Sequence, residues 1–210
     1  MVRVRVFVDY WNFQITLERK ESRQLGIADH RFYVNWRGLG AWLADKACQT
    51  IGVLDYSFDG VIIYASYNPK TDEGKRFHGW ASGKLNRYPG VHVICKERRP
   101  KGLPRCTSCH KLITNCPHSD CKAPIVATEE KGIDTFIATD MIRLAWEGAY
   151  DFAVLASQDS DLVPAVEFLA QKGRKIIHAA FPPMGAELTT ACWAFFDVYA
   201  SREEIRRPYR

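Results

Sequence analysis

The chain opens with Val2 to Val8, where Val alternates with Arg or Phe until Asp9 ends the run; this is the period-two pattern of a strand stopping at a polar turn. A helix is expected from about Asn12 to Lys20. Val34, Trp36, Leu39, Trp42, Leu43 and Ala47 recur mostly three or four residues apart and predict an amphipathic helix within residues 33–51. Val61 to Ala65 is a short apolar run between Asp-Gly and Asn-Pro, hence a buried strand. Residues 72–87 are polar and read as helical, and Val91 to Cys95 as a third strand. The stretch from Lys96 to Pro124 breaks every pattern with Pro, Cys and basic residues. Order returns with a helix from Gly132 to about Trp146, a strand from Phe152 to Ala156, a helix from Leu162 to Gln171, a strand from Lys175 to Ala180 and a last helix from Gly185 to Trp193.

Strand and helix alternating in this way imply an α/β fold, a parallel sheet with helices on both faces. Residues 1–200 form one domain, 96–124 interrupt it as an insertion, and 201–210 follow as a charged, fraying tail. No window approaches the roughly 18 consecutive apolar residues of a membrane span, and the N-terminus lacks the blocks of a signal peptide. A cytoplasmic protein is therefore expected, with no membrane partner.

Charge and cysteine placement add to this picture at the insertion. The formal charge is +5, yet residues 70–122 carry twelve Lys/Arg against four Asp/Glu. A basic segment on an acidic remainder suits a protein that attracts phosphates in one place and holds metal ions in another. Four of the seven cysteines crowd into the insertion as Cys106-x2-Cys109 and Cys116-x4-Cys121. Four thiols at that spacing fit one tetrahedral ion, with structural Zn²⁺ the expected occupant; His110 or His118 can replace a cysteine. The basic run Arg98, Arg99, Lys101 and Arg105 leads into this knob and suits the phosphates of RNA, although docking of a protein partner or a second copy is an alternative use.

In doubly wound sheets ligands sit beyond the carboxyl ends of the strands, where strand order reverses. Three segments there carry carboxylates: Asp9 with Asn12 after the first strand, Asp134 at a helix start, and Asp159-Ser-Asp161 after the Phe152 strand. Singly, each Asp is as well explained as a turn or cap residue. If the first and Phe152 strands are neighbours, however, Asp9, Asp134, Asp159 and Asp161 converge, and carboxylates so placed repel one another unless a cation lies among them. Oxygen-only ligands select Mg²⁺ or Mn²⁺. Asn12 adds an amide to orient a water or a phosphate oxygen. Asp140 falls on an apolar helical stripe and calls for a buried partner, as a support for the site or as a structural anchor.

Val6-Phe-Val-Asp9 with Asn12, Lys131-Gly-Ile-Asp134-Thr-Phe-Ile-Ala-Thr-Asp140 and Val154-Leu-Ala-Ser157-Gln-Asp159-Ser-Asp161-Leu-Val-Pro164 together resemble the NYN domains of the PIN-like nuclease superfamily, in particular the LabA-like branch. The resemblance implies a PIN-like, Rossmann-like parallel sheet of five to six strands and metal-dependent cleavage of RNA. It assigns metal or catalytic roles to Asp9, Asn12, Asp134, Asp159 and Asp161. Two departures stand out: Tyr10-Trp11 replaces a small residue after the first Asp, and Gln158 and Leu162 replace the Gly and Phe common in the third motif. A catalytically silent RNA-binding or adaptor module is the alternative function.

Overall fold

The structure, a computed structural model, describes residues 1–118, 120–125 and 128–208; Ser119 of the insertion and the last two residues of the tail lie outside the described residues. In chain order the elements are β1 (Val2–Asp9), α1 (Tyr10–Leu25), α2 (Trp36–Thr50), β2 (Tyr56–Tyr67), α3 (Asp72–Gly83), β3 (Val91–Glu97), β4 (Arg99–Pro100), β5 (Thr128–Glu129), α4 (Ile133–Trp146), β6 (Phe152–Ala156), α5 (Val163–Gln171), β7 (Lys175–Ala180), α6 (Ala186–Ala191) and β8 (Ala194–Asp197). Six strands form one sheet in the order β3-β2-β1-β6-β7-β8, parallel throughout. The expected α/β sheet of five to six strands is thus present with six. No helix among the described residues is long and apolar enough to cross a membrane.

Side-chain alternation sends the two faces of each strand into different cores. Val4, Val6 and Val8 pack with Val61, Ile63 and Val154 beneath Phe13 and Leu17 of α1 and Leu39 and Leu43 of α2. Phe7, Ile62, Tyr64 and Leu155 pack on the opposite face against Ile133, Ile137 and Met141 of α4 and Val166 and Leu169 of α5. Burial on both faces explains the near-continuous apolar runs of the central strands. Order reverses between β1 and β6, whose register pairs Val8 with Ala156. Asp9 and Ser157, the next residues on each strand, therefore emerge side by side.

Several boundaries differ from those expected. β2 begins five residues earlier than Val61, because Asp59-Gly60 is a bulge rather than a turn: Val4 pairs with Phe58 but Val6 with Val61. Gly60 takes φ +107 there, and a Cβ would stand 2.8 Å from the carbonyl oxygen of Gly90. β8 hides in Ala-Phe-Phe-Asp directly behind a six-residue helix, too short for its period to show.

The tail is corrected more strongly. Its described residues are held in place: Arg202–Ile205 form a 3₁₀ turn, Ile205 is buried, and its carbonyl accepts from Asn35 N at 2.8 Å. Arg202 and Arg206 reach Glu21, itself only 3% exposed, at 2.6 and 3.0 Å. A run of charges reads as solvated only while its buried partner, 180 residues earlier in the chain, is unknown.

Candidate active site

Asp9 ends β1 on the same face as Phe7, towards α4, and is only 4% exposed. Its Oδ1 accepts the Asn12 N–H at 3.1 Å and so caps α1. Across the reversal point, Asp159 follows β6 and caps the turn Ser160–Leu162 by accepting the Asp161 N–H at 3.0 Å. Asp134 lies in the first turn of α4. The cap reading holds for Asp9 and Asp159, and since one carboxylate oxygen suffices for a cap, it leaves the second oxygen of each for other partners.

Asp134 and Asp159 lie within range of the Asp9 charge, and Asp161 within range of Asp134. Burial pushes Asp9 up to about 7, against the hydrogen bond from Asn12, and the negative charges of Glu130, Asp134 and Asp159 push it further the same way. Asp134 is also raised, first by burial and then by Asp159, with Glu130 and Asp161 adding to it. Asp161 is exposed and acts from the rim.

Glu130 is the residue that sequence reasoning missed. It follows β5, the strand on which the chain returns from the insertion, so only the closed neck of that insertion brings it here. The Ser66 hydroxyl, at the end of β2, donates to its carboxylate and accepts from Arg98 Nε at 3.0 Å. Trp11 donates its indole N–H to the Ser66 carbonyl at 2.7 Å, and Arg98 lies over the Trp11 ring at 5.7 Å. Arg98 thus reaches the Glu130 carboxylate through the Ser66 hydroxyl.

The loops carrying the carboxylates are tied from behind. Asn12 Oδ1 accepts the Gln158 N–H at 2.8 Å, clamping the turn after β1 to the turn after β6. That engagement takes one of the two lone pairs of the Asn12 oxygen. His178, wholly buried on β7, contacts the Ser157 carbonyl through Nε2 at 2.7 Å and Thr189 Oγ1 through Nδ1 at 2.8 Å. Burial lowers its proton affinity despite the Ser157 contact, so it serves as a neutral strut. Gln158 fits because Gly185 opposite has no side chain: a Cβ there would stand 2.6 Å from Gln158 Oε1. Asp140 is anchored elsewhere, accepting from the buried Tyr64 hydroxyl at 3.0 Å and pairing with Arg143 at 3.1 Å, which makes it the structural anchor of the two roles considered.

Residues 3–199 match the NYN domain family. The chain is an NYN domain protein. The PIN-like superfamily of nucleases is the general kind to which NYN domains belong. Among curated proteins none matches. Among solved structures, a protein of unknown function from Vibrio parahaemolyticus is similar at TM-score 0.52 and 16% identity over 92% of this chain and 91% of that one, which shows a shared fold. A nicotinamidase from Staphylococcus aureus aligns over 91% and 92% of the two chains at 15% identity, with a TM-score of only 0.31.

The donor set of this NYN domain fits a hard divalent cation: it is all oxygen, and carboxylates of one sign are held close enough to impede each other's ionisation. Among the described residues, no group of three or more His, Cys, Asp or Glu is placed so that it could hold a metal ion, here or in the insertion. Like charges hold carboxylates apart without a countercharge, and structural zinc sites are ordinarily closed by the ion itself. Within the insertion the cysteines sit on two small turns, stapled by the bridges Arg105–Leu112 and Asn115–Pro124. The backbone N–H groups of Cys109 and Ser108, and then the Cys109 thiol, bond to the Cys106 sulfur and lower its proton affinity. The residue after each second cysteine turns left-handed, His110 at φ 57 and Lys122 at φ 45. Arg105 donates to the His110 carbonyl at 2.9 Å and braces the first turn, whereas Arg99 pairs with Glu129 across the neck and Lys101 is exposed.

Proposed function

We propose that this NYN domain hydrolyses RNA phosphodiester bonds with the help of Mg²⁺ or Mn²⁺. The observation that supports the reading is the buried Asp9 at the reversal point of the sheet, raised to about 7 by burial and by the nearby charges of Glu130, Asp134 and Asp159. These four would hold the cation, with Asp161 at the rim. When bound, such an ion polarises the phosphodiester and lowers the pKa of a water. The protein's own part is to give up the Asp9 proton as the countercharge arrives, and to keep water, phosphate and carboxylates in register. Asn12, Gln158 and His178 support that register by fixing the loops, and Arg98 offers a guanidinium to the phosphate.

A second ion, Zn²⁺ held by Cys106, Cys109, Cys116 and Cys121, is proposed for the insertion, supported by the paired cysteine spacing and by the two bridged turns that carry it. Arg99 and Lys101 would then meet the RNA backbone from the insertion.

The test is incubation of purified protein with end-labelled RNA and DNA, with Mg²⁺, with Mn²⁺ and with EDTA. Cleavage of RNA that requires the ion and disappears in Asp159→Asn supports the reading. RNA binding without cleavage under any of these conditions overturns it in favour of the silent binding module.

A further inference from the structure

A trough on the α1, α2 and α3 face leaves the acidic cluster at Trp11. Two adjoining hollows compose it, about 560 and 580 Å³, joined along Val34, Trp36, Trp80 and Arg207. Its floor is aromatic. Tyr10 stacks on Trp36 at 4.3 Å and meets Trp11 edge-on at 4.9 Å, while Phe77 links Trp11 to Trp80. Tyr10 and Trp36 are buried in this floor, whereas Trp11 and Trp80 are mostly buried with part of each ring open to solvent and Tyr33 is 56% exposed. The replacement of a small residue by Tyr10-Trp11 therefore builds a surface rather than only filling a core.

The walls are cationic. Arg31, Arg37, Arg76, Lys84 and Arg207 line the two hollows against only Glu18 and Glu73. All five are exposed, and none forms an ion pair with a described residue. A solvated surface tends to intersperse both signs, and an arginine left without a carboxylate is available to a phosphate. Planar faces flanked by unpaired arginines match a flexible strand whose bases are free to stack, and a closed duplex offers no such faces along its length.

We infer that this trough binds a single-stranded RNA segment and leads it past Trp11 to the carboxylates. The inference deepens the nuclease reading by naming the form of its substrate, and it rests on that reading for the direction of travel alone.

The test is a binding titration in EDTA, so that affinity is read without cleavage. The probe is a fluorescein-labelled oligouridylate, compared with an RNA duplex of equal length, over a range of salt. Wild type is expected to prefer the single strand. Arg31→Glu combined with Arg76→Glu should weaken that binding at least tenfold and make the log-log salt dependence shallower by about 1.4, two phosphates at about 0.7 each. Tyr33→Ala should weaken it severalfold with the salt slope unchanged, because stacking releases no counterions. Equal binding of duplex and single strand, or a double variant with unaltered affinity and slope, overturns the inference and leaves the trough to a protein segment. Failure of cleavage in the presence of intact binding would instead sink the nuclease reading and leave the trough standing.

Discussion

Replacing Asp9 by Asn should stabilise the metal-free protein above neutral pH. The carboxyl is raised from 3.8 to about 7 in the folded chain, mainly by burial. Each tenfold change in proton affinity is worth about 1.4 kcal/mol, so ionising Asp9 in the folded, metal-free state costs about 4 kcal/mol. The sign follows from linkage: a carboxyl raised on folding contributes stability that is full below its unfolded value near 4 and is lost as pH rises through about 7. Asn keeps the volume and remains a good N-cap, so the contact with the Asn12 N–H survives. The gain from Asp9→Asn should be under about 2 kcal/mol at pH 5 and approach about 4 kcal/mol at pH 8. Urea unfolding in EDTA at the two pH values measures it. Added Mn²⁺ should reverse the ranking, stabilising wild type and leaving the variant unmoved, since a ligand of the native state stabilises by mass action. A variant no more stable than wild type at pH 8, or equally stabilised at both pH values, would refute the account of Asp9 as a strained, cation-seeking carboxylate.

Three further outcomes separate structural from site roles. Cys109→Ser should release about one zinc per chain by elemental analysis and expose residues 96–124 to protease while the sheet stays folded; protein purified without chelators that contains no zinc would dismiss the site. Glu21→Gln leaves Arg202 and Arg206 facing a neutral amide in a buried setting and should cost about 3 kcal/mol in urea unfolding, whereas a frayed tail would cost nothing measurable. Asp140→Ala strips the buried Tyr64 hydroxyl of its acceptor and should cost about 1–3 kcal/mol, with RNA cleavage by the remaining folded protein unchanged; a loss of cleavage out of proportion to stability would return Asp140 to the site.

The fold was legible because its signals are local and repeated. A parallel sheet buried on both faces writes continuous apolar runs, and each crossover helix writes a three-to-four spacing, so most elements from Val2 to Ala180 are found near their expected places. The carboxylates at strand ends were legible for a related reason: the sheet's own topology fixes where β1 and β6 deliver Asp9 and Asp159. What sequence left out depends on contacts between segments far apart. Glu130 has no pattern of its own and joins the cluster because an antiparallel neck pairs Arg99 with Glu129 after an excursion of some thirty residues. His178 has no ligand or triad spacing to mark it in the sequence, and β7 carries it beneath Ser157. The tail resembled solvated charge until Glu21 appeared behind it, and the aromatic trough exists only where α1, α2 and α3 meet. Period and composition report what a segment can bury, whereas tertiary structure decides what each buried or charged group faces, and at this site it is the facing groups that set proton affinity and chemistry.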